Sequence, residues 1–191
     1  MKRNSNTKKI VINALLLGIG AILHQITPAF GLPMQPDFSL IMLFIIMLIN
    51  GGEYKVSIIA AIITGIFTAL TTKFPGGQVP NMIDKIVTVN IVFLLIFSLN
   101  KLKIIDKLSA NSKKNIICAI VFPVGTLVSG TVFLLSAQFI VGLPAPFVVL
   151  FLSIVLPATI INLLAGIFLY KVVEMSMKRA IYAKWKMKLI K

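Results

Sequence analysis

Hydrophobic and polar positions in this chain fall into blocks rather than into a helical or strand period. Long apolar runs at 10–27, 38–49, 56–70, 86–99, 116–141 and 147–170 are separated by short polar segments. About 20 apolar residues, at ~1.5 Å each, cross a ~30 Å hydrocarbon core. The pattern therefore predicts an all-α, polytopic membrane protein with six transmembrane helices. They are expected at about 10–27, 37–49, 56–72, 83–99, 116–141 and 147–170, forming one integral membrane domain over 1–191 with a basic tail at 171–191. The second run is short and must tilt, thin the bilayer or borrow flanking residues. Pro123, Gly125 and Gly130 predict a kink in the fifth span, and Pro157 lies inside the sixth. The first run follows a basic segment, as a signal peptide would, but no small-x-small cleavage site follows it. It is read as a retained helix.

One polar break stands out. Residues 71–85 hold Pro75, Pro80, Gly76, Gly77, Gln78, Asn81, Asp84, Lys73 and Lys85 between two apolar runs. Such a segment is costly in a membrane unless it sits at the surface or lines a water-filled cavity. It is read as the mouth of a small-molecule site.

Charge settles the expected topology. The net charge is +14, yet 17 of the 19 lysines and arginines lie in the end segments and in every second loop. Only Lys73 and Lys85 lie in the other loops. The positive-inside rule then places both termini in the cytoplasm and the breaks at 28–37, 71–85 and 142–146 outside. A basic chain of this kind suits lipid headgroups rather than nucleic acid. In the tail, Met177, Ile181, Trp185 and Leu189 recur every four residues among basic ones, which suits a helix on the membrane surface.

Candidate chemistry is sparse. Cys118 is the single cysteine and His24 the single histidine, so neither a disulfide nor a common zinc site is expected. No cofactor, metal or catalytic group is expected, and no phosphate-binding loop gives the chain an ATPase of its own. Asp37 and Asp84 fall at expected helix starts, where a carboxylate caps backbone donors; binding an ammonium is the other use for them. Asp84 and Lys85, being adjacent, would not face each other on a helix and could address the two ends of a zwitterion. Lys73 is read as snorkelling to the surface. Asn162 and Gln138 are costly amides within spans, suited to helix–helix bonds or to a ligand. Ala14 and Gly18, four apart, form a small-residue face for internal packing or for a partner helix.

These residues resemble a known family. Thr-Ala-Leu-Thr-Thr at 68–72, Phe74-Pro75, Gly77-Gln78 and Pro-Asn-Met-Ile-Asp-Lys at 80–85 are similar to the signature of the TrpP tryptophan-transporter family. So are Leu23-His24, Pro28, Phe30-Gly31, Met34 and Pro36-Asp37. Softer matches lie in Val128-Ser129-Gly130, Val141-Gly142-Leu143-Pro144 and Val155-Leu156-Pro157-Ala158. Where that family often carries a basic residue, this chain has Gln35. The resemblance implies tryptophan uptake through the cell membrane. It further implies likeness to the substrate-binding S components of energy-coupling-factor transporters, which bind solute under the outer loops and dock through helix one on a coupling subunit with ATPases. Ala14 and Gly18 stand where that docking face would be.

For tryptophan, burying ~150–250 Å² of aromatic surface at ~25 cal/mol/Å² yields ~4–6 kcal/mol, whereas nanomolar affinity needs ~12 kcal/mol. The charged ends of the ligand therefore need partners. Asp84 or Asp37 is assigned to the ammonium. Asn81, Lys85 and helix N-termini are assigned to the carboxylate. Gln78 or His24 is assigned to the indole N–H, with Phe30, Met34 and Phe74 as the wall. Competing expectations are another aromatic compound or a vitamin as substrate, and a membrane scaffold with no solute site.

Overall fold

A short helix that is apolar all round sits at the centre of the bundle. The structure, a computed structural model, describes residues 2–28, 35–102 and 109–189. Its helices are α1 (Lys2–Ile26), α2 (Phe38–Ile49), α3 (Tyr54–Thr71), α4 (Gln78–Lys101), α5 (Ala110–Ile140), α6 (Phe147–Leu150) and α7 (Leu156–Leu189). A π-helical turn, Phe151–Val155, joins α6 to α7, so the last three elements make one continuous sixth span. Among the described residues, five stretches are long and apolar enough to cross a membrane, and α2 is the shorter sixth.

In α2, every residue from Ser39 to Met47 is buried. A helix without a polar face is stable only when surrounded, and α1, α3, α4, α5 and α7 surround this one. At ~1.5 Å per residue α2 is ~18 Å long, well short of the hydrocarbon core. It resolves the mismatch by burial inside the bundle rather than by tilting through lipid. Its first turn is capped by Asp37, whose Oδ1 accepts the Leu40 N–H at 3.0 Å, as expected.

Close approaches let the other helices wrap it. Ser39 Oγ donates to the Gly20 carbonyl at 3.0 Å, and a Cβ at Gly20 would sit 3.0 Å from Met42 Cβ. The tight α1–α2 contact therefore lies at Gly20. Gly18 would meet nothing within 4 Å and Ala14 is exposed, so the Ala14/Gly18 face plays no part in packing among the described residues. On α5, a Cβ at Gly125 would enter the Phe44 ring. Gly125→Ala is expected to cost ~1–3 kcal/mol through overpacking, visible as a lowered thermal midpoint in detergent; an unchanged midpoint would mean that Phe44 can turn aside.

The proline positions act differently in the two spans. Pro123 lies within an uninterrupted α5. Ahead of Pro157 the chain widens into the π turn, with the Leu156 N–H reaching the Phe151 carbonyl. Such turns accommodate the bond a proline cannot donate.

Two ion-pair sets join one end of the bundle. Lys9 Nζ pairs with Glu53 at 3.0 Å, and Lys114 and Lys178 pair with Glu174 at 2.6 and 3.2 Å. The opposite end gathers Lys73, whose ammonium donates to the Thr27 carbonyl, and Gly76, which lies against Val141. The two ends thus correspond to the lysine-rich and lysine-poor segments of the sequence. Large apolar side chains such as Ile10, Leu15, Ile22, Leu164 and Phe168 are more than 60% exposed along the sides, as lipid-facing residues are. The tail continues α7 helically to Leu189; Ile181, Trp185 and Leu189 lie outside the residues whose side chains are described.

Candidate functional site

The site forms where α2 stops short. α4 begins at Gln78, earlier than the expected start at 83, because Pro80 occupies the first turn, where a missing N–H costs nothing. Asp84 is therefore the seventh residue of α4, about 9 Å along its axis, and is not a cap. The N-terminal end of α2 delivers Asp37 to the same depth.

There Lys85 lies between two carboxylates. Its Nζ is 2.7 Å from Asp37 Oδ2 and also donates to Asp84 Oδ2. The expectation that neighbouring Asp84 and Lys85 would point apart is overturned: the long lysine stem curls back along the helix to reach the shorter acid. Thr88 and Ser129 donate to Asp84 at 2.8 and 2.9 Å. Asp84, Lys85, Thr88 and Ser129 are buried, Asp84 and Lys85 each only 1% exposed, while Asp37 is half-buried at the rim of the cluster. His24 Nδ1 lies 3.3 Å from Asp37 Oδ1 but off the line of a hydrogen bond. Two acids thus face one lysine, with His24 beside the second of them, Asp37.

Around this cluster is a recess of about 70 Å³. His24, Asp37, Phe74, Asn81, Asp84, Lys85 and Asn162 all line it, as does Lys73. Phe74 closes one wall, buried and packed edge-on to Phe133 with ring centres 5.4 Å apart. The other side is α5 and the π turn, through Ser129, Gly130, Ile154 and Val155. Three buried polar atoms have no partner among the described residues: His24 Nδ1, Gln35 Oε1 and Asn162 Oδ1. All three residues line the recess. Unpartnered buried polar atoms cost stability, so their convergence marks a place that a ligand or ordered water completes. The volume is below the roughly 150 Å³ at which an engineered cavity admits benzene, so an aromatic ligand requires this end to widen.

Some expected residues fall elsewhere. Gln78 is exposed on the first turn of α4 and does not line the recess. Gln138 is exposed near the end of α5. Phe30 and Met34 lie outside the described residues. Asn81 Nδ2 already donates to the Gly77 carbonyl at 2.8 Å. Lys73 does not simply snorkel, since it ties this end of the bundle to α1 through Thr27. Sequence reasoning noted Gln35 only as a departure from the family's basic residue, and passed over Thr88, Thr126 and Ser129 as binding or positioning groups. The usable signal was polar spacing in apolar helices: Thr88 stands four residues after Asp84, and Thr126 and Ser129 are three apart on α5, so each set shares a helix face.

A six-helix bundle with lipid-facing sides and a charged recess near one end has the architecture of a membrane transport protein. The chain belongs to the tryptophan transporter TrpP family, whose profile matches residues 6–178. It is 55% identical over 180 residues to a "Probable tryptophan transport protein" of Clostridium perfringens, covering 94% of this chain and 98% of that one. A protein of the same name from Clostridium acetobutylicum is 49% identical, over 91% of this chain and 95% of its own. One from Bacillus subtilis is 42% identical with the same coverage. No solved structure matches the chain.

Proposed function

We propose that this chain takes up tryptophan through the cell membrane, binding it in the recess at the lysine-poor end, which faces outside while both termini lie in the cytoplasm. One observation carries the site assignment: a buried carboxylate in excess of its lysine, beside unpartnered acceptors, in a recess with an aromatic wall. The family and the names of its relatives support the substrate. Orientation rests on the distribution of lysine and arginine.

In this reading the excess negative charge of Asp37 and Asp84 receives the substrate ammonium. Lys85 is held by both acids and so orients them rather than meeting the carboxylate, which falls to Lys73 at the mouth. The indole N–H meets one of the unpartnered acceptors, and Phe74 flanks the ring, with Phe30 and Met34 proposed beside it. The Ala14/Gly18 face on α1, with Ala14 exposed and Gly18 half-buried, supports docking on a coupling subunit of energy-coupling-factor type, with ATPases supplying energy. Membrane lipids cover the remaining sides.

Calorimetric titration of tryptophan into the detergent-purified chain is expected to give saturable heat. Absence of heat across a wide concentration range would favour the scaffold reading. Competition by vitamins stronger than by indole compounds would reassign the substrate. Uptake into vesicles with and without an ATP-driven partner tests the docking face.

A further inference from the structure

We infer, building on the reading of the recess as a tryptophan site, that it recognises the hydrogen-bond donors of its ligand far more than the carboxylate. Indole-ethylamines are then ligands in their own right, and indole acids without an amine are not.

Two of the three unpartnered atoms of the recess, Gln35 Oε1 and Asn162 Oδ1, are acceptors, and their orientation is fixed. Gln35 Nε2 donates to the His24 backbone carbonyl at 2.9 Å, an oxygen that can only accept. The amide therefore cannot turn over without losing that bond, and Oε1 is left for the recess. Asn162 Nδ2 donates to Thr126 Oγ1 at 3.2 Å. That hydroxyl has committed its own hydrogen to the Phe122 carbonyl, so it too can only accept. Asn162 Oδ1, on a residue 1% exposed, faces the recess unpartnered. The principal side-chain donors already point at protein acceptors: Lys85 at the two acids, Asn81 at Gly77 and Lys73 at Thr27.

Charge runs the same way. The deep part of the recess holds two carboxylates on one ammonium, so it attracts a cation and repels an anion. Lys73 is the other lysine lining the recess, and it is exposed. An exposed ion pair changes affinity by about fivefold or less, whereas a charge partner missing from a buried site changes it by about 30-fold or more. An ammonium and an indole N–H together bring four donors to the acceptors that lack them; the carboxylate brings none.

The test is calorimetry on the full-length chain in detergent with tryptophan, tryptamine and indole-3-propionate. Tryptamine is expected to bind within about fivefold of tryptophan, and indole-3-propionate about 30-fold or more weaker than either. Lys73→Gln should bring tryptophan down to the affinity of tryptamine and leave tryptamine unchanged. Asn162→Leu should weaken both amines by the same factor. Tryptamine binding as poorly as indole-3-propionate, or a 30-fold loss of tryptophan affinity in Lys73→Gln, would overturn the inference while leaving the tryptophan site standing. Failure of tryptophan itself to bind would overturn the underlying reading as well.

Discussion

Asp84→Asn is expected to reduce tryptophan affinity by about 30-fold or more while leaving the bundle folded. The substitution leaves Asp37 and Lys85 as a one-to-one pair 2.7 Å apart. The remaining charges balance, and an asparagine oxygen can still accept from Thr88. What disappears is the second negative charge, which the ammonium would meet. Losing one partner of a buried charge pair costs ~2–5 kcal/mol in binding. Calorimetry alongside size-exclusion of the purified variant makes the check. Wild-type affinity in a well-behaved variant would reduce Asp84 to an anchor for Lys85.

Lys85→Met is expected to have the largest effect on stability. Lys85 is the cation that holds the start of α2 to α4, through acids on both. Without it the buried Asp84 and the half-buried Asp37 face each other with no lysine between them, a situation that costs ~3–5 kcal/mol. For a chain of this size that corresponds to roughly 6–20 °C in thermal midpoint. Adding Asp84→Asn to Lys85→Met should recover a substantial part of the loss, because one of the two repelling charges is then gone. Such non-additivity identifies residues that share one network. Equal midpoints for the single and double variants would mean that the acids are neutralised in some other way.

The contrast between these variants follows from what the sequence made legible. Run lengths and the uneven distribution of lysine predicted six spans, and the ion pairs Lys9–Glu53 and Lys114–Glu174 join the segments that the charge count had grouped. The polar break at 71–85 was visible as a candidate site because its residues are expensive in lipid. Its inner arrangement was not. Pro80 reads as a helix breaker, yet in a first turn it is harmless, and moving the helix start to Gln78 turned that glutamine outward and put Asp84 inside. The rule that adjacent helical residues diverge describes Cβ directions, not the reach of a four-carbon lysine stem drawn in by a second acid. That second acid arrives from α2, 48 positions away in sequence, and no local pattern carries such a meeting. The orphaned oxygens of Gln35 and Asn162 are likewise properties of packing, since each amide is oriented by a partner on another element or by a backbone carbonyl.

The brevity of α2 has a consequence for how the protein is made. A 12-residue helix is too short to hold a place across the bilayer on its own as it leaves the ribosome. It can enter with α1, against which it packs through Gly20 and Ser39, as a hairpin. Its remaining neighbours, α3, α4, α5 and α7, are synthesised only afterwards. Until they arrive, Asp37 has no Lys85 and stands as a lone acid at the edge of the nascent hairpin. The charged cluster can therefore form only once α4 has been made and its lysine meets that carboxylate.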